Sequence, residues 1–175
     1  MNYKTHINGG ILLGLYATSQ MKNIPIISSS TVIFLGGSIL GSLLPDIDHK
    51  SSYIGRRTKP VSKAINKFAG HRKLFHAPLL YIFLYSISIG FATDKLSIIF
   101  INGLFLGIMS HLILDSLTVG GLPWFYPLSK KKVSLAKIKT NSQLETSFCS
   151  LLTFLNVAIL LDLLKITSIF TFTQR

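Results

Sequence analysis

The sequence predicts an all-α protein: one polytopic membrane bundle of about five hydrophobic helices, with a short amphipathic helix at the interface. Three observations carry the prediction. Of the 175 residues, 49% are hydrophobic and only 14% are charged, whereas soluble domains carry roughly a quarter charged residues; mean hydropathy is +0.50. Apolar runs approaching the ~20 residues that cross a bilayer recur along the chain. Between them the basic residues are bunched: of eighteen Lys and Arg, eight lie from Lys50 to Lys73 and five from Lys130 to Lys139.

The apolar runs fall at about 7–21, 24–44, 77–93, 96–116 and 145–170. The first is short, and with Lys4 ahead of it and "ATS" behind it has the outline of a signal peptide. Its glycine spacing argues instead for a helix that stays and packs. Three runs carry glycines four apart, Gly10/Gly14, Gly37/Gly41 and Gly103/Gly107, the spacing that lets helix backbones approach closely in lipid. Two of these stripes continue into polar groups: His6 leads into Gly10 and Gly14, and Gly103 and Gly107 lead into His111 and Asp115. Four residues turn a helix through about 400°, so each stripe stays near one face. Between the second and third runs, "TKPVSKAINKFAG" places Val61, Ala64, Ile65 and Phe68 at helical spacing, with Pro60 suited to the first turn and Gly70 to the stop. This segment reads equally as a helix lying on the membrane surface and as a solvated one. No linker divides the chain, and one domain is expected over residues 1–175.

Placing both basic blocks in the cytoplasm puts the N-terminus inside and the C-terminus outside after five crossings. Because the blocks sit between apolar runs, the net charge of +12 is read as positive-inside sorting and attraction to anionic lipid head groups, not as nucleic-acid binding. The single cysteine, Cys149, excludes an internal disulfide framework and a Cys-rich zinc site.

The polar residues then fall into a pattern that the Lys and Arg count did not use. The chain has five histidines and six acidic residues. On that topology nine of these eleven, His6, Asp46, Asp48, His49, His71, His76, His111, Asp115 and Glu145, lie at the cytoplasmic ends of the runs. Only Asp94 and Asp162 fall toward the other side. Ionisable groups at membrane depth default to function. Imidazole and carboxylate without thiolate suit zinc, manganese or iron. His111 and Asp115, four apart, can reach one ion from a single helix face. A catalytic zinc needs three protein ligands and a two-metal site roughly six to eight, so nine candidates favour two or three ions, zinc first and manganese next.

The order His6, "LPDIDHKSS", "HRKLFHA", "HLILDSLTVGGLPWFYP" resembles the YdjM-like family of bacterial inner-membrane metal-dependent hydrolases, over about residues 1–150. That family is in turn similar in its metal-binding pattern to the zinc-dependent phospholipase C and single-strand nuclease group, all-helical hydrolases that use a metal cluster. By motif match, the resemblance implies His6, Asp46, Asp48, His49, His71, His76, His111 and Asp115 as ligands. The family's second motif usually reads His-Arg-Gly-x-Thr-His-Ser. Lys73, Phe75 and Ala77 replace its Gly, Thr and Ser here, keeping the ligands and losing the hydroxyls.

The function expected is hydrolysis of a lipid or lipid-linked phosphoester at the cytoplasmic face by metal-activated water. Asp48 or Glu145 would serve as the base, Arg72 as a bidentate grip on phosphate, and Trp124, with Phe125 and Tyr126, as an interfacial rim. The rival reading is a metal-ion or proton transporter built on the same cluster. It requires ionisable groups near the midplane and beyond, where the sequence offers only Asn102 and Asn156.

Overall fold

The computed structural model describes residues 1–21, 27–69 and 74–164. Among these residues every regular element is helical: α1 (Tyr3–Gln20), α2 (Ser29–Gly41), α3 (Tyr53–Arg57), α4 (Lys59–Ala69), α5 (Pro78–Phe91), α6 (Lys95–Ser116) and α7 (Gln143–Leu163). Two 3₁₀ turns, Leu44–Asp48 and Leu74–His76, link α2 to α3 and lead into α5. Helix starts are set by local chemistry. The side chains of Asn2, Ser28, Asp94 and Ser142 each accept a backbone N–H of the following turn, satisfying donors that a helix start leaves free. Pro78 opens α5, where its missing N–H costs nothing.

Helix α6 is central, packed against α1, α2 and α5, while α7 lies along α1. The expected glycine seams form the tightest of these contacts. A Cβ at Gly41 would strike the carbonyl oxygen of Leu104, and one at Gly107 that of Ser38. Only a residue without a side chain lets α2 and α6 meet backbone to backbone. Gly10 serves α1 in the same way against α2, where Ser38 Oγ donates to the Gly10 carbonyl at 2.8 Å. Such a cross-helix bond in lipid contributes about 0.6 kcal/mol on average.

The expectation of about five hydrophobic helices is met loosely. Among the described residues, three segments are long and apolar enough to span: Ser29–Asp48, Lys95–Ser116 and Gln143–Leu163. The third run yields only 14 helical residues, about 21 Å at the helical rise and short of the ~30 Å core. Its helix starts at Pro78 and ends at Phe91, where Ala92 turns extended. Helix α1 has the length but not the hydropathy, because Asn8, His6 and two threonines interrupt it. The amphipathic segment forms α4 as expected. Asn66 Nδ2 on α4 donates to the Asp48 carbonyl at 2.8 Å, fixing α4 over the first 3₁₀ turn. The expected stop at Gly70 lies outside the described residues.

After α6 the chain doubles back without regular structure. Leu122 and Val133 exchange backbone hydrogen bonds at 2.9 Å, and Val119 N–H bonds the Ile138 carbonyl at 3.1 Å. Gly121 adopts φ +59° there, a conformation a side chain would strain. Two apolar clusters flank this end of α6: Met1, Leu114, Ile138 and Leu152 on one side, and Tyr81, Ile108, Leu112 and Leu122 on the other. At about 100° per residue, the His111–Asp115 stripe of α6 runs between them.

Candidate metal centre

Four elements deliver side chains to the space between those clusters. Helix α1 contributes His6 from its first turns, and α6 contributes His111 and Asp115 one turn apart. The turn Leu44–Asp48 contributes Asp46, and the turn Leu74–His76 ends on His76. The two short turns follow from sequence. Pro45 is the second residue of the first, and Pro78, just beyond the second, confines Ala77 to extended backbone. Each turn thereby projects a polar residue back under the bundle instead of extending a helix.

The donors meet at ion-pair range. Asp115 Oδ2 lies 3.5 Å from His76 Nε2 and 3.7 Å from His111 Nε2, and Asp115 Oδ1 lies 3.4 Å from His6 Nε2. Asp46 Oδ1 lies 3.8 Å from His76 Nε2 and 3.9 Å from His111 Nε2. The rings of His6 and His111 stack face to face, 3.7 Å apart at 9°. Most of these separations exceed a good N–H···O bond. They are close to the edges of a coordination polyhedron: ligands ~2.0–2.1 Å from one ion stand roughly 3–3.5 Å from each other. Two overlapping sets, His6–Asp46–His111 and His76–His111–Asp115, have ligand atoms all within 4.8 Å of one another.

Burial sharpens the chemistry. His6, His76, His111 and Asp115 are fully buried, while the Asp46 side chain stays 19% exposed. Neither ring nitrogen of His6 has a hydrogen bond, nor does Nε2 of His111. Buried polar atoms without partners are costly and call for an explanation. His111 Nδ1 lies 2.7 Å from the Ser42 carbonyl. A carbonyl can only accept, so Nδ1 carries the proton and the Nε2 lone pair faces Asp46 and Asp115. A backbone acceptor behind a histidine is the usual means of orienting a metal ligand. The donor set therefore fits a divalent transition metal. The Met1 amino group also donates to Asp115 Oδ1, at 2.5 Å.

His76 is held from both sides. Its Nδ1 faces Asp48 Oδ2 at 3.4 Å while Nε2 faces Asp46 and Asp115. Burial disfavours its charged form, but the carboxylates of Asp115 and Asp48 outweigh burial and raise its pKa from 6.5 to about 9. Asp48 thus stands one step behind the donors, against the far edge of a histidine.

The eight ligands implied by sequence separate accordingly. His6, Asp46, His76, His111 and Asp115 converge, and Asp48 backs His76. His49 is half-buried and lies within 3.2 Å of Ser51 Oγ, outside both ligand sets among the described residues. His71 and Arg72 lie outside the described residues. Glu145, expected as a base, stands elsewhere. Its Oε1 accepts the Asn2 N–H at 2.5 Å and the Thr5 hydroxyl at 3.2 Å, and its Oε2 accepts the Asn141 N–H at 2.6 Å. It ties the starts of α1 and α7 together. Trp124 packs against the Tyr81–Leu122 cluster, while Phe125 is exposed. Sequence reasoning missed Ser42, whose role is a backbone carbonyl, and Tyr81, whose hydroxyl donates to the Phe75 carbonyl at 2.8 Å and pins the turn that carries His76. Neither role has a residue-type signal.

The family described as YdjM inner membrane protein matches residues 1–172. The chain is 34% identical over 128 residues to the uncharacterized protein YvsG of Bacillus subtilis (strain 168), spanning 73% of this chain and 74% of that one. It is 33% identical over 118 residues to the inner membrane protein YdjM of Escherichia coli (strain K12), and equally to that of Shigella flexneri. That match spans 64% of this chain but only 59% of the length of each YdjM protein. No solved structure matches.

Proposed function

The chain belongs to the YdjM inner membrane protein family, and from that premise we propose that it is a metal-dependent hydrolase of lipid or lipid-linked phosphoesters, working at the cytoplasmic face of the bacterial inner membrane. The observation that carries the reading is the convergence of five buried or nearly buried donors with bare imidazole nitrogens among them. The described residues supply His6, Asp46, His76, His111 and Asp115, enough for one ion, zinc or manganese, and fewer than the roughly six to eight donors of a two-metal site. The expectation of two or three ions also counts Asp48, His49 and His71, the last outside the described residues, and it stays part of this proposal. Such an ion supplies Lewis acidity, lowering the pKa of water toward 7 and neutralising a phosphoryl oxygen.

The remaining work belongs to the chain. Of these five described residues Asp46 alone has an exposed edge, so water and substrate approach on its side. Asp48 is placed to hold the Nδ1 proton of His76 and fix that ring's direction, which suits it to positioning rather than to proton abstraction from substrate. The similarity to the phospholipase C and single-strand nuclease group belongs to this proposal, as do Arg72 as the phosphate grip and Trp124 as a support beside the site.

Transport is the weaker reading. The amides deeper in the bundle mostly bond their neighbours: Asn102 Oδ1 accepts Tyr85 Oη–H at 2.8 Å, and Asn156 Nδ2 donates to Asn8 Oδ1 at 3.1 Å, while Asn156 Oδ1 has no hydrogen bond. Between Lys95 and His111, α6 carries no ionisable side chain. The test is release of a phosphorylated head group or phosphate by detergent-solubilised protein from a panel of lipid phosphoesters, lost on chelation and recovered with zinc or manganese. Metal flux into sealed vesicles, with no product from the panel, would overturn the hydrolase reading.

A further inference from the structure

Beside the candidate metal centre, α5 and α6 part to leave a cavity of ≈ 200 Å³ lined by Leu44, Tyr81, Leu84, Leu104, Phe105 and Ile108, among others. One end is tied to the donors by covalent and hydrogen-bonded neighbours. Leu44 opens the turn that carries Asp46, Ile108 lies one turn before His111 on α6, and the Tyr81 hydroxyl bonds the carbonyl preceding His76. From Tyr81 the groove follows α5 to Ser88, roughly 10 Å along the axis and into the depth of the bundle. Apart from Ser88 at its far end, its walls ask for no polar ligand, because both tyrosine hydroxyls are already bonded, Tyr81 to Phe75 and Tyr85 to Asn102. The groove is smaller than the ~300–1,000 Å³ typical of drug-sized ligand pockets, which favours a linear occupant. It is open on its α5 side, where Leu84 is exposed on a helix whose free face is apolar.

We infer that this groove holds a single acyl chain of a membrane phospholipid whose phosphate sits at the donor cluster. A chain entering sideways from the bilayer leaves one apolar medium for another, so the groove acts mainly as a guide. It fixes the depth and direction of the lipid and places the first ester or phosphate atoms at the exposed edge of Asp46. The inference rests on the lipid-phosphoester reading for its head group, but the seating of the chain is testable without turnover.

The probe is a phosphatidic acid carrying a diazirine in its acyl chain, incorporated into vesicles of phosphatidylethanolamine and phosphatidylglycerol with the full-length protein. After irradiation, peptide mapping should find adducts on the α5 and α6 peptides around Leu84 and Leu104 in excess over those on α7 around Phe154 and Leu161, which are also exposed. Leu84→Trp, which places an indole across the opening, should remove that excess while metal content stays unchanged. Leu104→Ala, which widens the groove, should keep or increase it and guards against misreading a folding defect. Labelling no richer on α5 and α6 than on α7 would mean annular lipid only and would overturn the inference. So would α5 peptides shielded below the α7 level, as a second copy seated on this face would produce, and so would an excess that survives Leu84→Trp. Groove labelling without turnover of any lipid phosphoester would sink the hydrolase reading and leave the groove assignment standing.

Discussion

Asp115 and Glu145 are both buried carboxylates at the same end of the bundle, and they do opposite work. Asp115 faces three imidazoles at 3.4–3.7 Å, and the Met1 amino group donates to it at 2.5 Å. Glu145 faces two backbone N–H groups and a hydroxyl at 2.5–3.2 Å. The first set of distances suits ligands sharing an ion, and the second is ordinary hydrogen bonding at helix starts. A carboxylate at a membrane boundary is therefore not a ligand by virtue of its depth; its neighbours decide.

The sharpest way to break the comparison is to neutralise each acid in turn. Asp115→Asn should abolish metal retention, because it removes a ligand charge from a fully buried site. Glu145→Gln should leave metal content intact and lower stability by about 1–3 kcal/mol, the loss expected when a charge-assisted acceptor of backbone N–H groups is replaced by an amide. Metal analysis alongside thermal unfolding in detergent separates the two. Equal metal loss in both variants would place Glu145 in the site after all.

Asp48 tests the intermediate case. Standing behind His76, it should act as a supporting carboxylate, so Asp48→Asn should weaken metal affinity by about 10–100-fold without abolishing it. Competition against a chelating dye measures this, and complete loss would make Asp48 a direct ligand.

The same residue governs the pH dependence. In the metal-free protein the folded His76 pKa is raised to about 9 from 6.5. Its pairing with Asp115 and Asp48 therefore stabilises the fold fully below pH 6.5 and is lost as pH rises through 9. Metal must displace that proton, so apparent affinity should climb with pH and level off above about 9. Asp48→Asn should shift the climb to lower pH; a flat profile in the wild type would remove His76 from the ligands.

The smallest effect is expected at His49, half-buried against Ser51 and outside both ligand sets. His49→Ala should leave metal content at the wild-type level.

What was legible in the sequence follows from what the residues do locally. Glycines four apart leave a bare helix face, so the α2–α6 seam at Gly41 and Gly107 could be read without a partner in view. Proline at positions 45 and 78 and the apolar spacing of 61–68 likewise act within a turn or two. His6, His111 and Asp115 could be grouped because helix ends at one membrane face must meet. The length of α5 was not legible, since an extended residue at Ala92 interrupts a run that stays apolar. Nor was the separation of Asp46 from Asp48. Two residues apart in a 3₁₀ turn, they point to different sides of His76, an outcome of tertiary contacts such as Asn66 on the Asp48 carbonyl and Tyr81 on the turn that carries His76.

The central claim is that the converging imidazoles and carboxylates hold an ion, and metal content of the untagged protein measures it directly. The wild type should retain at least one equivalent of zinc or manganese after mild purification, as a closed ligand set requires, lose it to chelator and regain it, and His111→Ala should retain little. Wild-type protein that holds no metal and gains none on addition, or His111→Ala protein that keeps the full equivalent, would contradict the account.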